Sequence, residues 1–208
     1  MTVAMASASP LIALFVISPW LAMRSQRRFD QVVAGALAMG KPGLLERAWS
    51  GARLFRIFGP PGEVWERRGL IAAVRGEHAE ARDAYAAAKK SYERAAPISV
   101  ELGLADACFE LGEHADALAG YEQVLRWDPT LHRARRNLGF SLVALDRVED
   151  AAPWLEGCPE PSGDAHHYRL LRAAVYAAMG KRKEARAWRK KAGKPRDARA
   201  RELAAVGR

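Results

Sequence analysis

Gly76-Glu77-His78-Ala79-Glu80-Ala81-Arg82 returns as Gly112-Glu113-His114-Ala115-Asp116-Ala117-Leu118, 36 residues further along the chain. The central alanine then recurs at Ala151 and Ala185, with spacings of 34 and 34. Four residues past the first two alanines stand Tyr85 and Tyr121, and past the third stands Leu155. Upstream, Leu104-Ala105, Leu138-Gly139 and Arg172-Ala173 also recur at 34. A period of this length marks stacked helix pairs, because one pair cannot bury its apolar face alone and must lean on the next. Alanine and leucine dominate, β-branched residues are sparse and no alternating strand pattern is present, so the expected fold is all-α.

The residues shared between repeats extend this reading. The first repeat supplies Trp65, Gly69, Ala81, Tyr85 and Ala88, and the second Leu104, Ala105, Gly112, Ala117, Tyr121 and Pro129. The third keeps Leu138, Gly139, Leu142, Ala151 and Leu155, and the fourth Ala173, Tyr176, Gly180 and Ala185. Over residues 62 to 193 this pattern resembles the tetratricopeptide repeat (TPR) family, with its Trp, Leu-Gly and Tyr in one helix, Ala and Phe in the next, and a closing Pro. Arg126-Trp127-Asp128-Pro129 resembles the family's turn between repeats. The resemblance implies a TPR-like helical-hairpin solenoid of about four repeats, at 62–97, 98–131, 132–165 and 166–193, that binds proteins rather than catalysing a reaction.

Elementary chemistry agrees repeat by repeat. Small residues at Gly69, Ala105, Gly139 and Ala173 fit positions of close helix approach, faced by Ala81, Ala117, Ala151 and Ala185. Gly76, Gly112 and Gly180 fit turns that need φ > 0, and Asp146 takes that place in the third repeat. Pro153, Pro159 and Pro161 predict a kinked or shortened helix there, followed by a loop over 157 to 163. Residues 24–61 are expected to form a helical cap or degenerate repeat. Gly40-Lys41-Pro42-Gly43 reads as its turn, and a shift of 36 places Leu45 on Ala81 and Trp49 on Tyr85.

The N-terminus raises a second expectation. Met1 to Met23 carries no charged residue, Leu11 to Met23 is dense in large apolar side chains, and Arg24, Arg27 and Arg28 follow. A helix needs about 20 apolar residues to span a bilayer. Residues 1–23 therefore read as a transmembrane signal anchor, with the arginines holding its C-terminal flank, and the repeats, in the cytoplasm. Two other readings are a core helix that packs on the solenoid and a cleaved signal peptide, which would want its basic residues before the apolar run.

Charge is uneven as well. Residues 181–208 hold twelve Lys or Arg against three Asp or Glu, an excess equal to the +9 of the whole chain. Lys181, Arg182, Lys183, Lys190 and Lys191, with Arg24, Arg27 and Arg28, are candidate contacts to anionic lipid or another polyanion. A solvated capping helix explains the same composition at 194–208. Nucleic acid is a weaker partner, because Trp188 alone is available for stacking in that segment.

Partner binding is expected on the first helices of the pairs, which line the groove in the family. By phase, the groove residues are Glu66, Leu70, Leu102, Asp106, Phe109, Arg136 and Phe140, flanked by Arg133, Asn137 and His167. Chaperone-binding members grip a partner's C-terminal carboxylate with Lys and Asn on these rows. Here only Arg136 and Asn137 match, while Glu66 and Leu70 occupy the preceding positions, which speaks against the clamp. Apolar at Phe109 and Phe140 and basic at Arg133 and Arg136, the groove suits an amphipathic or acidic segment.

No phosphate loop, zinc-protease motif or nucleophile elbow occurs, and Cys108 and Cys158 share no metal or redox spacing. The adjacent His166 and His167 diverge by about 100° on a helix and chelate poorly. No enzyme activity, cofactor or metal is expected. The reading is a membrane-anchored TPR scaffold for protein partners. Its alternatives are a soluble TPR adaptor whose N-terminal helix packs on the solenoid, and a factor that binds anionic lipid or nucleic acid through its basic tail.

Overall fold

The computed structural model describes residues 10–38, 41–92, 94–163 and 165–206, and every regular element among them is helical. Chain contacts divide them into two units, residues 1–96 and 97–208.

The first unit begins with α1 (Pro10–Ala38), followed by α2 (Pro42–Gly51) and α3 (Arg53–Phe58). α4 (Pro61–Arg75) and α5 (His78–Ser91) then form a hairpin. Pro42 and Pro61 open their helices at the first position, where the missing N–H has no intrahelical partner to lose. α1 buries Ala22, Phe29 and Ala36, a seven-residue spacing that keeps one stripe facing α2 and α3. Phe29 sits 5.5 Å from the Trp49 ring and shares a core with Ala52, Phe55 and Ile71. Arg67 of α4 meets Asp30 of α1 at 3.2 Å, and Gln26 hydrogen-bonds Glu63.

This packing corrects the expectation of a single-pass anchor with cytoplasm-facing repeats. Among the described residues no helix is long and apolar enough to cross a membrane. α1 does not stop at Met23 but continues through Arg24, Arg27, Arg28 and Asp30. Beyond residue 20 its buried side chains Ala22, Phe29 and Ala36 form a one-sided stripe against protein, with charged and exposed residues on the rest of its surface, where a bilayer span would be apolar around its circumference. Residues 1–9 of the proposed anchor lie outside the described residues. The alternative, an N-terminal helix that packs on the helices after it, matches the observed α1.

The second unit contains the hairpin α6 (Ile98–Glu110) with α7 (His114–Trp127), and then α8 (His132–Ala144). A single 3-10 turn (Glu149–Ala151) leads into α9 (Ala152–Leu155), reducing the second helix of this pair to four α-helical residues at Pro153. An irregular stretch precedes α10 (His166–Ala178), which pairs with α11 (Arg182–Ala192); α12 (Ala198–Ala205) ends the unit. Tyr121, Leu138, Leu142, Leu155 and Leu171 are fully buried at its centre. Cys108 and Cys158 are buried too.

Close helix approach is visible at the small residues. A Cβ on Gly120 would fall 2.8 Å from the Ala105 methyl, one on Gly69 2.9 Å from the Tyr85 ring, and one on Gly139 3.1 Å from Leu155. The four alanines Ala81, Ala117, Ala151 and Ala185 are all buried. Gly76, Gly112 and Gly180 take φ of 79°, 78° and 73°, and Asp146 takes 58° at the matching position.

Asp146 adopts this left-handed conformation at a steric cost that glycine avoids, partly offset by glycine's larger entropy loss on folding. We expect Asp146→Gly to stabilise the second unit by up to about 1 kcal/mol. Urea unfolding of the two proteins measures it, and a lower midpoint for the variant would contradict the repeat equivalence.

Candidate protein-interaction face

The predicted groove residues fall in both units, and each set is described in its own. In the first unit Glu66 and Leu70 lie on α4, both half-buried. Glu66 accepts from the Tyr92 hydroxyl at 3.0 Å and meets Arg67 at 2.9 Å. Burial of the Tyr92 phenol, and then the Glu66 carboxylate beside it, hold that phenol protonated well above the usual tyrosine range.

In the second unit the face is built by α6, α8 and α10, which contact one another in that order. Residues one helical turn apart share a face, so Leu102, Asp106 and Phe109 of α6 align, as do Arg133, Arg136, Asn137 and Phe140 of α8. Asp106 is the polar hub. It accepts from Tyr121 Oη at 2.7 Å, from Asn137 Nδ2 at 3.0 Å and from Arg133 Nη2 at 2.5 Å. Asn137 also donates to the Tyr121 oxygen at 3.2 Å. Burial and then the Asp106 charge push the Tyr121 phenol far above its ordinary pKa, so it serves as a donor at any physiological pH.

This network changes the expected chemistry of the groove. Arg133 and Asn137 are already engaged by Asp106, which neutralises part of the basic character assigned to the face. Arg136 stays half-buried beside them, and Leu102 is half-buried against the core.

Phe109 and Phe140 pack with ring centroids 6.3 Å apart. Over them lies α12, the helix within the basic tail. The Arg199 guanidinium stands 4.2 Å from the Phe109 centroid and 5.5 Å from that of Phe140. Ala200, Leu203 and Ala204 of α12 are buried in the core that contains Phe109, Val143 and Leu170. A cleft of about 570 Å³ remains between α12 and the ends of α6 and α8, lined by Phe109, His114, Phe140, Val143, Arg199 and Leu203.

Sequence reading missed two histidine roles here. His114, within the repeated turn motif, is half-buried 5.6 Å from Phe109. Burial, and secondarily the Arg199 charge, lower its pKa below 6.5. His167, expected to flank the groove, donates from Nε2 to the Asp197 carboxylate at 2.9 and 3.1 Å. Asp197 caps α12 by accepting from Ala200 N at 2.8 Å, and these two contacts, the backbone one first, lower its pKa. His166 is buried, with Nδ1 3.0 Å from the Ala192 carbonyl. Among the described residues no group of three or more His, Cys, Asp or Glu could hold a metal ion.

The candidate polyanion contacts divide between the units. Arg24, Arg27 and Arg28 are exposed on α1, where Arg24 stacks 5.5 Å from Trp20. Lys181, Arg182, Lys183, Lys190 and Lys191 are exposed along or beside α11. Lys191 lies 5.0 Å from the Trp188 ring and pairs with Glu160, whose carboxyl is held below its usual pKa by that contact and by Arg169.

Two consequences are measurable. Asp106→Ala strips the acceptor from three donors, one of them on a buried ring, and is expected to cost about 1–3 kcal/mol in urea unfolding. Asp106→Asn, which retains an acceptor, should recover part of the loss. His114 binds its proton less readily folded than unfolded, so the unfolded chain takes up more protons below pH 6.5 and stability falls as pH drops toward the native pKa. Between pH 7.5 and 5.5 the Tm of the wild type should therefore decline more steeply than that of His114→Gln.

The comparisons with known proteins agree with this geometry. A family model described as tetratricopeptide repeat matches residues 109–175, from the end of α6 to α10. The crystal structure of a tetratricopeptide repeat protein from Parabacteroides merdae ATCC 43184 is similar in fold, with a TM-score of 0.57 and 21% identity over 87% of this chain and 71% of that one. No curated protein matches the sequence. Paired helices, left-handed turns and small residues recur in register, and over its central pairs, residues 109–175, the chain is similar to the tetratricopeptide-repeat family.

Proposed function

We propose that this chain is a protein-interaction scaffold whose second unit binds a partner's helix or peptide along the face of α6, α8 and α10. One observation carries the reading: three successive first helices contribute to one face, with Phe109 and Phe140 at its centre, and that face accommodates a helix, α12. Preformed grooves of this kind bind by complementary apolar burial, with polar groups at the edge setting register. Arg136 and His167 supply such edge groups, and Glu66 and Leu70 would serve the same role in the first unit. The mechanism is binding alone. The chain brings a partner to whatever else it contacts and transforms nothing.

The reading is tested with the full-length chain carrying Arg136→Glu and Phe140→Ala, used beside the wild type in quantitative cross-linking capture from native extract. Proteins captured by the wild type should fall at least tenfold with the double variant, a loss of about 1.4 kcal/mol in binding. Capture of the same proteins in the same amounts by a variant with a native circular dichroism spectrum would sink the proposal.

A further inference from the structure

α12 contacts its own chain in a way that the other helices of the second unit do not. Each of the others is half of a hairpin or, like α8 and α9, is joined to its pair by a tight turn. α12 follows the exposed segment Gly193-Lys194-Pro195-Arg196, in which Gly193 has φ 79°. It then lies across the first-helix face through one short stripe, Ala200, Leu203 and Ala204, at the i, i+3, i+4 spacing of a single helix side. A helix of eight residues is not stable alone in water, so α12 is helical because the face holds it.

The contacts that hold it, broadest along α10, are of identifiable kinds. Arg199 places its guanidinium over the two phenylalanine rings. Leu203 enters the cleft beside Val143, the small side chains of Ala200 and Ala204 let the helix lie close, and Asp197 caps its N-terminus while bound to His167. Arg189 of α11 donates to the Val206 carbonyl at 3.1 Å at the other end. These are the features of a groove–ligand contact: an anchor residue, a cation on an aromatic pair, and a capped end.

We infer that α12 is an intramolecular ligand of the first-helix face, and that the partner is a short amphipathic helix of the same chemistry, Arg-Ala-x-x-Leu-Ala, which must displace α12 to bind. The inference rests on the proposed function above and adds the partner's character and the gate. Free chain holds its groove filled. A partner helix with a basic residue three to four positions before a leucine, and small residues beside both, replaces α12 contact for contact. Acidic helices are disfavoured, because the site under Arg199 consists of aromatic rings with Glu110 and Asp146 at its rim.

A labelled peptide of residues 194–208 is the probe, with fluorescence anisotropy as the readout. Full-length chain carrying Asp197→Ala and Arg199→Ala, both at exposed or half-exposed positions, loses the cap and the ring contact, so that α12 undocks more readily. It should bind the peptide at least tenfold more tightly than the wild type, whose own α12 competes. Adding Phe140→Ala, or replacing the peptide with one carrying Arg199→Glu and Leu203→Glu, should abolish binding. Equal affinity for wild type and released variant, or equal affinity for the two peptides, overturns the inference.

A second measurement needs no variant. In native hydrogen exchange of the wild type, amides of 201–205 should exchange at least tenfold faster than those of α10, because α12 undocks while the hairpins stay folded. Exchange of both at the same rate overturns the gate. Light scattering should give a monomer, and a dimer with exchanged α12 would overturn the intramolecular assignment. These outcomes separate from those of the scaffold reading. If the peptide fails to bind but groove-dependent capture persists, only the inference falls, whereas peptide binding without capture leaves the gate and removes the scaffold.

Discussion

Close contact between the two helices of a pair is the constraint on which the other features depend. Where Gly120 meets the Ala105 methyl, and Gly69 the Tyr85 ring, there is no room for an added carbon. Against these small residues the chain sets Tyr85, Tyr121 and Leu155, all buried. The connection between such helices must be short, which forces the left-handed residue at Gly76, Gly112, Asp146 and Gly180. A turn that tight keeps successive pairs in one orientation, so the first helices of the second unit present a common face.

That face is both polar and apolar for reasons internal to the fold. The ring of Tyr121 belongs to the core, but its hydroxyl reaches Asp106, and a buried hydroxyl needs a partner. Asp106 therefore serves the interior as much as the surface, and it draws Arg133 and Asn137 toward itself. The exposed pair with Arg133 contributes little on its own, whereas the bond from Tyr121 ties two helices. Charges that read as recognition groups in the sequence are thus partly committed to holding α6, α7 and α8 together. The proposed partner face is left with the aromatic pair and the edges.

The N-terminal helix is a case of the same stretch of sequence satisfying two different surroundings. Its uncharged N-terminal run reads like the start of a bilayer span, but no described helix is apolar enough over its length to be one; Ala22, Phe29 and Ala36 lie seven apart and fit between α2 and α3, with Arg67 paired to Asp30. Apolar density does not distinguish lipid from protein. Position around the helix does, because protein contacts only one side.

The repeat itself was legible without coordinates, since the period, the small-residue positions, the turn glycines and even the left-handed Asp146 follow from short-range rules that act within one helix pair. The breakdown of the third pair at Pro153 was legible for the same reason, as proline denies a specific hydrogen bond. The side of α1 that faces protein, the capture of Arg133 and Asn137 by Asp106, the burial of His114 and the seating of α12 across Phe109 and Phe140 were decided only by the tertiary structure. Each depends on residues 15 to 90 positions apart meeting in space, and no local propensity encodes which of several amphipathic faces they meet on. Sequence by itself determined the repeating unit; what fills the groove was decided by how those units stack.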